Sequence, residues 1–258
     1  MDLGLSYQII ILLFAVAAFA GCIDAIAGGG GLITIPALLW AGIPPTQALA
    51  TNKLQACGGS FFASWYFIRQ GIVSVKQMKL AITCAFIGAA LGTIAVQLID
   101  IRILETILPF LILTIGGYFL FSKKLSDDDK HQVLTPTAFA FTAALAVGLY
   151  DGFFGPGTGS FFALAGISLR GYGIIKSTAI AKTLNFSTNI ASLIIFLFAG
   201  KIVWTIGVVM MFGQVIGAWL GSHCLFSINP KLLRMLVVIM CFGMLIKYSY
   251  DMGWLLAR

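Results

Sequence analysis

Four charged side chains lie inside apolar sequence: Asp24, Lys53, Asp151 and Lys182. An ionisable group at membrane depth is costly and usually faces a bundle interior or a wet cavity. Each aspartate stands one helical turn before a glycine break. Asp24 precedes Gly28, Gly29, Gly30 and Gly31; Asp151 precedes Gly155-Pro156-Gly157-Thr158-Gly159. A helix restarting after such a break presents unbonded N–H groups and a partial positive charge, a geometry that binds anions. Gly29, Gly30 and Gly157 are therefore candidate backbone contacts for a small anionic solute. Lys53 opens a stripe of Ala56, Cys57, Ser60 and Ser64, and Lys182 sits in one of Thr178, Asn185, Asn189 and Ser192. Spacings of three and four put each set on one helix face. Asn52, Asn185 and Asn189 join the two lysines as candidate solute contacts. A lysine about two turns, or about 10 Å, inside its helix could instead snorkel to the interface. The aspartates admit two roles, a protonatable coupling site or an ion pair with Lys53 or Lys182, and the two can coexist.

Other chemistries find no support. Ser160 lies near Gly157 and Gly159, but His131 falls in a polar linker and His223 near a helix end, both poorly placed as its base. Cys22, Cys57, Cys84, Cys224 and Cys241 lie in apolar segments without metal-ligand spacing and read as small packing residues. The Gly-x-Gly motifs lack a flanking strand and a Gly-Lys-Ser/Thr, which excludes a phosphate loop of the soluble NTPase type. No enzyme activity, metal or cofactor is expected.

The elements that must position these residues are transmembrane helices. The chain has 258 residues, 60% of them hydrophobic and only 10% charged. Several apolar runs reach the length of about 20 residues that crosses a bilayer core. The net charge of +7 reads as the excess of Lys and Arg that retains loops in the cytoplasm, not as a nucleic-acid surface. No cleavable signal peptide is expected. Spans are expected at Tyr7–Ala27, Gln47–Ile68, Lys76–Ile99 and Ile103–Phe121, with Leu32–Gly42 too short to span alone. Trp65, Trp204 and Trp254 fall near expected interfaces. Gly88-x-x-x-Gly92 and Gly213-x-x-x-Gly217-x-x-x-Gly221 read as close-packing faces.

The second half repeats the first. Gly21-x-x-Asp24-x-x-x-Gly28-x-Gly30 matches Gly148-x-x-Asp151-x-x-x-Gly155-x-Gly157 at a shift of 127 positions. Lys53 matches Lys182, Gly88 matches Gly217 and Gly92 matches Gly221 at a shift of 129. The expected organisation is a first membrane repeat at 1–121, a polar cytoplasmic linker at 122–136 and a second membrane repeat at 137–258. About eight transmembrane segments in all make an all-α polytopic protein. If each broken segment is a re-entrant hairpin, the halves are inverted and loop Lys and Arg divide ten inside to four outside. If it crosses once, the halves are parallel and the best division is nine to five. The positive-inside rule favours inversion, the architecture of many secondary transporters.

The run Gly28-Gly29-Gly30-Gly31-Leu32-Ile33-Thr34-Ile35-Pro36-Ala37-Leu38, then Gly42-Ile43-Pro44-Pro45 and Ala48-Leu49-Ala50-Thr51-Asn52-Lys53, resembles the TauE/SafE family of sulfite-exporter-like membrane proteins. The resemblance covers nearly the whole chain. It implies a bacterial inner-membrane permease with about eight helices, moving a small and sulfur-containing anion of the sulfite or organosulfonate class. The second copy departs from the first, with Ala181 before Lys182 where Asn52 precedes Lys53, so the two half-sites are unequal. Taken together, the expectation is a secondary transporter whose substrate lies between two broken helices. A passive anion channel and a non-transporting scaffold are the alternatives. The expected partners are the solute and the lipid bilayer, with a homo-oligomer left open.

Overall fold

A computed structural model describes residues 6–99 and 132–224. The expected span Ile103–Phe121, most of the linker, His131, Trp254 and Cys241 lie outside the described residues. Among the described residues every regular element is helical.

α1 (Tyr7–Ala27) stops where Gly28 adopts φ 80° and its N–H bonds back to the Asp24 carbonyl at 2.8 Å. Only glycine takes that left-handed conformation without strain. α2 (Gly31–Trp40) is ten residues, about 15 Å, half of what a bilayer requires. α3 (Pro45–Arg69) begins on a proline, whose fixed φ suits the first helical position. α4 (Val75–Leu98) follows a short turn. α5 (Pro136–Phe139) is capped by Thr135, whose Oγ1 accepts from the Ala138 N–H at 3.2 Å. It passes through a π-helical turn, Ala140–Ala144, into α6 (Leu145–Phe153). After the second glycine break come α7 (Thr158–Arg170), α8 (Ile174–Phe198) and α9 (Trp204–Cys224).

α1, α4, α8 and α9 are long and apolar enough to cross a membrane, and the chain is a multi-pass membrane protein. α3 has the length, 25 residues or about 37 Å, but is less apolar. Its polar residues Thr51, Asn52, Lys53, Gln55, Ser60 and Ser64 are all buried, so they face protein and not lipid. Trp65 and Trp204 are about half exposed on the outer surface, as interfacial residues are. Cys57 and Cys84 are buried and unbridged.

Small residues let the helices touch backbone to backbone. A Cβ built on Gly213, Gly217 or Gly221 would meet the carbonyl oxygens of Phe14, Ala18 and Cys22 at 2.5, 1.8 and 2.4 Å. The contacts advance together along both chains, so α1 and α9 run in the same direction. In the same way Gly88 and Gly92 would meet the carbonyls of Leu145 and Leu149, so α4 and α6 also run in the same direction. Gly217→Ala is expected to cost about 1–3 kcal/mol by overpacking, whereas Gly200 has open surroundings but φ 63°, so Gly200→Ala should show only backbone strain. Comparison of the two alanine variants by thermal unfolding in detergent checks this.

The buried apolar side chains sort the helix ends. Leu13, Leu38, Ile43, Ala48, Ile206 and Met210 form one cluster. It gathers early α1, the end of α2 and the starts of α3 and α9. Phe67, Val73, Ala81, Phe139 and Ile180 belong to another. It gathers the end of α3 with the starts of α4, α5 and α8. Because α3 joins the two clusters, they mark opposite ends of the bundle.

Candidate functional site

The two glycine breaks meet at the centre of this arrangement. A Cβ on Gly28 would lie 2.3 Å from the Ser160 nitrogen and 2.4 Å from the Gly159 carbonyl carbon. One on Gly31 would lie 3.3 Å from Pro156 Cα. The Ser160 hydroxyl donates to the Ala27 carbonyl, tying the start of α7 to the end of α1. Backbone of one half therefore touches backbone of the other. No side chain fits between them, which is the physical reason for glycine at Gly28 and Gly159.

Each lysine crosses to the other half. Lys53 Nζ lies 2.9 Å from Asp151 Oδ1 and donates to the Asp151 carbonyl at 2.6 Å. Lys182 Nζ lies 3.0 Å from Asp24 Oδ2 and also donates to the Asp24 carbonyl. Lys53 is 2% and Lys182 0% exposed, so neither snorkels to the interface. The symmetry extends to the carboxylates. Asp24 Oδ1 accepts the Gly30 N–H at 3.1 Å, and Asp151 Oδ1 accepts the Thr158 hydroxyl at 2.7 Å. Each aspartate thus sits where an ammonium group converges with the first turn of a broken helix.

The asparagines complete the centre. Asn52 Oδ1 accepts from Thr34 Oγ1 at 2.6 Å and from Gln55 Nε2 at 2.8 Å. With its oxygen engaged twice, its Nδ2 is directed toward Gly31. Asn189 Nδ2 donates to Asn185 Oδ1 at 3.3 Å. These groups enclose a polar cavity of about 20 Å³, room for about one water. Asn52, Asn185, Asn189, Gly157, Asp24 and Asp151 line it. Gly29, Gly30, Lys53 and Lys182 are not in the lining; the two ammonium groups stand behind it, against the aspartates. The sequence suggests ammonium groups turned into a cavity, whereas in this closed arrangement they are engaged by carboxylates.

Thr158 and Gln214 also line the cavity and were not singled out by sequence. Thr158 lies inside the second glycine break, where spacing gives its side chain no helix face. Gln214 lies within the Gly213-to-Gly221 face, read only as packing; a buried amide in an apolar helix was the available signal. Asp151 Oδ2 and Gln214 Oε1 are buried without a hydrogen-bond partner. His223 lies at the end of α9 against the Tyr66 and Trp219 rings, with Nδ1 near the Trp219 carbonyl. No group of metal-ligating side chains occurs among the described residues.

Comparison with known proteins agrees with this picture of a membrane bundle. The family model described as "Sulfite exporter TauE/SafE" matches residues 13–248. A "Probable membrane transporter protein" of Haemophilus influenzae is 49% identical over 254 residues, 98% of this chain and 99% of its own. "Probable membrane transporter protein YfcA" of Escherichia coli K12 is 49% identical over 240 residues, 93% of this chain and 89% of its own. "Probable membrane transporter protein ORF9" of a Sinorhizobium species is 43% identical over 248 residues, 96% and 95% of the two chains. No solved structure matches.

Proposed function

The chain belongs to the sulfite exporter TauE/SafE family, and we propose from that premise that it is a secondary transporter for a small anion of the sulfite or organosulfonate class. One observation carries the reading. Each aspartate carboxylate occupies the point where a lysine ammonium and a broken helix start converge. That is the position an anion would take, so the carboxylates act as tethered stand-ins for substrate. A substrate anion displaces Asp24 from Lys182 and the Gly30 N–H, or Asp151 from Lys53 and Thr158. The freed carboxylate takes up a proton, which keeps the buried charge constant while the cavity widens. Asn52, Asn185 and Asn189 then donate to substrate oxygens, with Gly29, Gly30 and Gly157 supplying backbone contacts.

The reading includes eight spans in two inverted repeats, in the bacterial inner membrane. The gathering of helix ends supports inversion. α1, α3 and α9 begin at one end, whereas α4, α5 and α8 begin at the other. Each element and its repeat counterpart (α1 and α5–α6, α3 and α8, α4 and α9) therefore start on opposite sides. α2 returns to the end where α1 begins, and α7 to the end where α5 begins, with Leu169 accepting from the Leu134 N–H at 2.8 Å. Re-entrant half-helices facing one another at midplane are the pattern expected for an alternating-access site.

Proteoliposome uptake tests the proposal, with labelled sulfite and small alkanesulfonates as probes and an imposed pH difference. Accumulation above equilibrium that collapses with the pH difference is the expected result. Uptake that only equilibrates would make the protein a passive channel. Asn52→Leu removes one donor to the anion and is expected to raise KM roughly 10-fold or more, the equivalent of one hydrogen bond to a charged group.

A further inference from the structure

We propose that the basic end of the bundle carries a second binding site, for the headgroup of an anionic phospholipid. A cavity of about 380 Å³ opens between the starts of α4, α5 and α8. That is about a dozen water volumes, far more than the central cavity and within the range of ordinary ligand sites. Its floor is apolar and buried: Val73, Ala81, Phe139 and Ile180. Its rim is basic. The Arg170 guanidinium and the Lys176 ammonium both stand over the ring of Tyr172, at 5.3 and 4.7 Å from the centroid. Arg170 is held there by bonds from Nε and Nη2 to the Tyr172 hydroxyl, 3.2 and 3.1 Å, and from Nη1 to the Leu134 carbonyl.

Two cations share one aromatic ring, which offsets their repulsion in part. No acidic side chain faces them among the described residues. The aspartates described there, Asp24 and Asp151, are buried at the centre in pairs with Lys182 and Lys53. A guanidinium fixed by three bonds is prepared for phosphate. The cavity mouth also takes in the start of α4, where Ser74 makes no side-chain cap bond and the helix end favours negative charge.

The apolar part of the cavity selects a lipid over a free ion. Leu80 lines it and is 41% exposed, so the groove opens onto the lipid-facing surface. Trp65 at this end is half exposed with the Arg69 guanidinium 5.0 Å from its ring, a belt arrangement at headgroup depth. Basic pockets between transmembrane helices on the cytoplasmic side bind anionic headgroups.

Thermal unfolding of the purified full chain in detergent tests the site, with added phosphatidylglycerol, phosphatidylcholine or inorganic phosphate. Phosphatidylglycerol is expected to raise the unfolding midpoint in a saturable way, with the other two giving little effect. Arg170→Gln with Lys176→Gln should weaken the apparent phosphatidylglycerol affinity roughly 30-fold, the loss of two basic contacts. Because Arg170 also holds Leu134, Lys176→Gln alone is the second variant and should weaken affinity roughly 5-fold. Lys79→Gln, on α4 but absent from the cavity lining, is the control and should weaken affinity less than Lys176→Gln does. Equal stabilisation by phosphatidylcholine or by inorganic phosphate would overturn the proposal, as would wild-type affinity in both the double and the single variant.

Discussion

Lys53→Met is expected to lower stability by about 3–5 kcal/mol, because it strands the Asp151 carboxylate at 1% exposure without its cation. The second variant, Lys53→Met with Asp151→Leu, should recover most of that loss. A buried ion pair costs desolvation to form, and an apolar pair of similar volume is often no less stable. Thr158 keeps an acceptor in the double variant, since its hydroxyl also reaches the Gly155 carbonyl at 2.6 Å. Transport should be lost in both variants, because the Lys53 half-site has no ammonium group left to exchange between carboxylate and substrate, and Lys182 serves only the other half-site. Unfolding in detergent and uptake in proteoliposomes, read on the same preparations, separate the two roles of the pair. Transport by the refolded double variant would assign Lys53 to architecture alone.

The second large effect concerns the crossing of the breaks. Gly28→Ala meets two penalties. Its φ of 80° is strained for any residue with a Cβ, by about 1–2 kcal/mol. The new methyl would also lie 2.3 Å from the backbone nitrogen of Ser160, an overpacking worth about 1–3 kcal/mol. Gly42 offers the control. Its φ is 81°, yet nothing lies within 4 Å of its Cβ position. Gly42→Ala should therefore show only the first penalty and keep transport, while Gly28→Ala shows both and loses it. Equal unfolding midpoints for the two variants would mean that the breaks do not touch.

Local structure was legible in the sequence because it follows from local rules. The first helix is expected at Tyr7–Ala27 and found there. The short segment Leu32–Gly42 is found as Gly31–Trp40, and Gln47–Ile68 as Pro45–Arg69, displaced by the helix-starting proline. The polar stripes on α3 and α8 are indeed inward, since three- and four-residue spacing fixes a helix face. The partners of the charges were not legible. Lys53 and Asp151 are 98 positions apart, and Lys182 and Asp24 are 158 apart. Periodicity carries no information about which aspartate meets which lysine. Nor could it foresee that the breaks would close on each other and leave space for one water. The π-helical turn at Ala140–Ala144 has no counterpart in α1 and no signature in its alanine-rich sequence.

Oxidative cross-linking of Gly31→Cys with Pro156→Cys, in a chain whose five native cysteines are replaced, tests most directly whether the broken helices of the two halves meet. The Cβ position at Gly31 is 3.3 Å from Pro156 Cα, close enough for a disulfide. In native membranes a mild oxidant should produce an intramolecular bond between the two introduced cysteines, detected by mass spectrometry and reversed by reductant. Two thiols that both remain open to maleimide after oxidation, with no cross-link formed, would contradict the account.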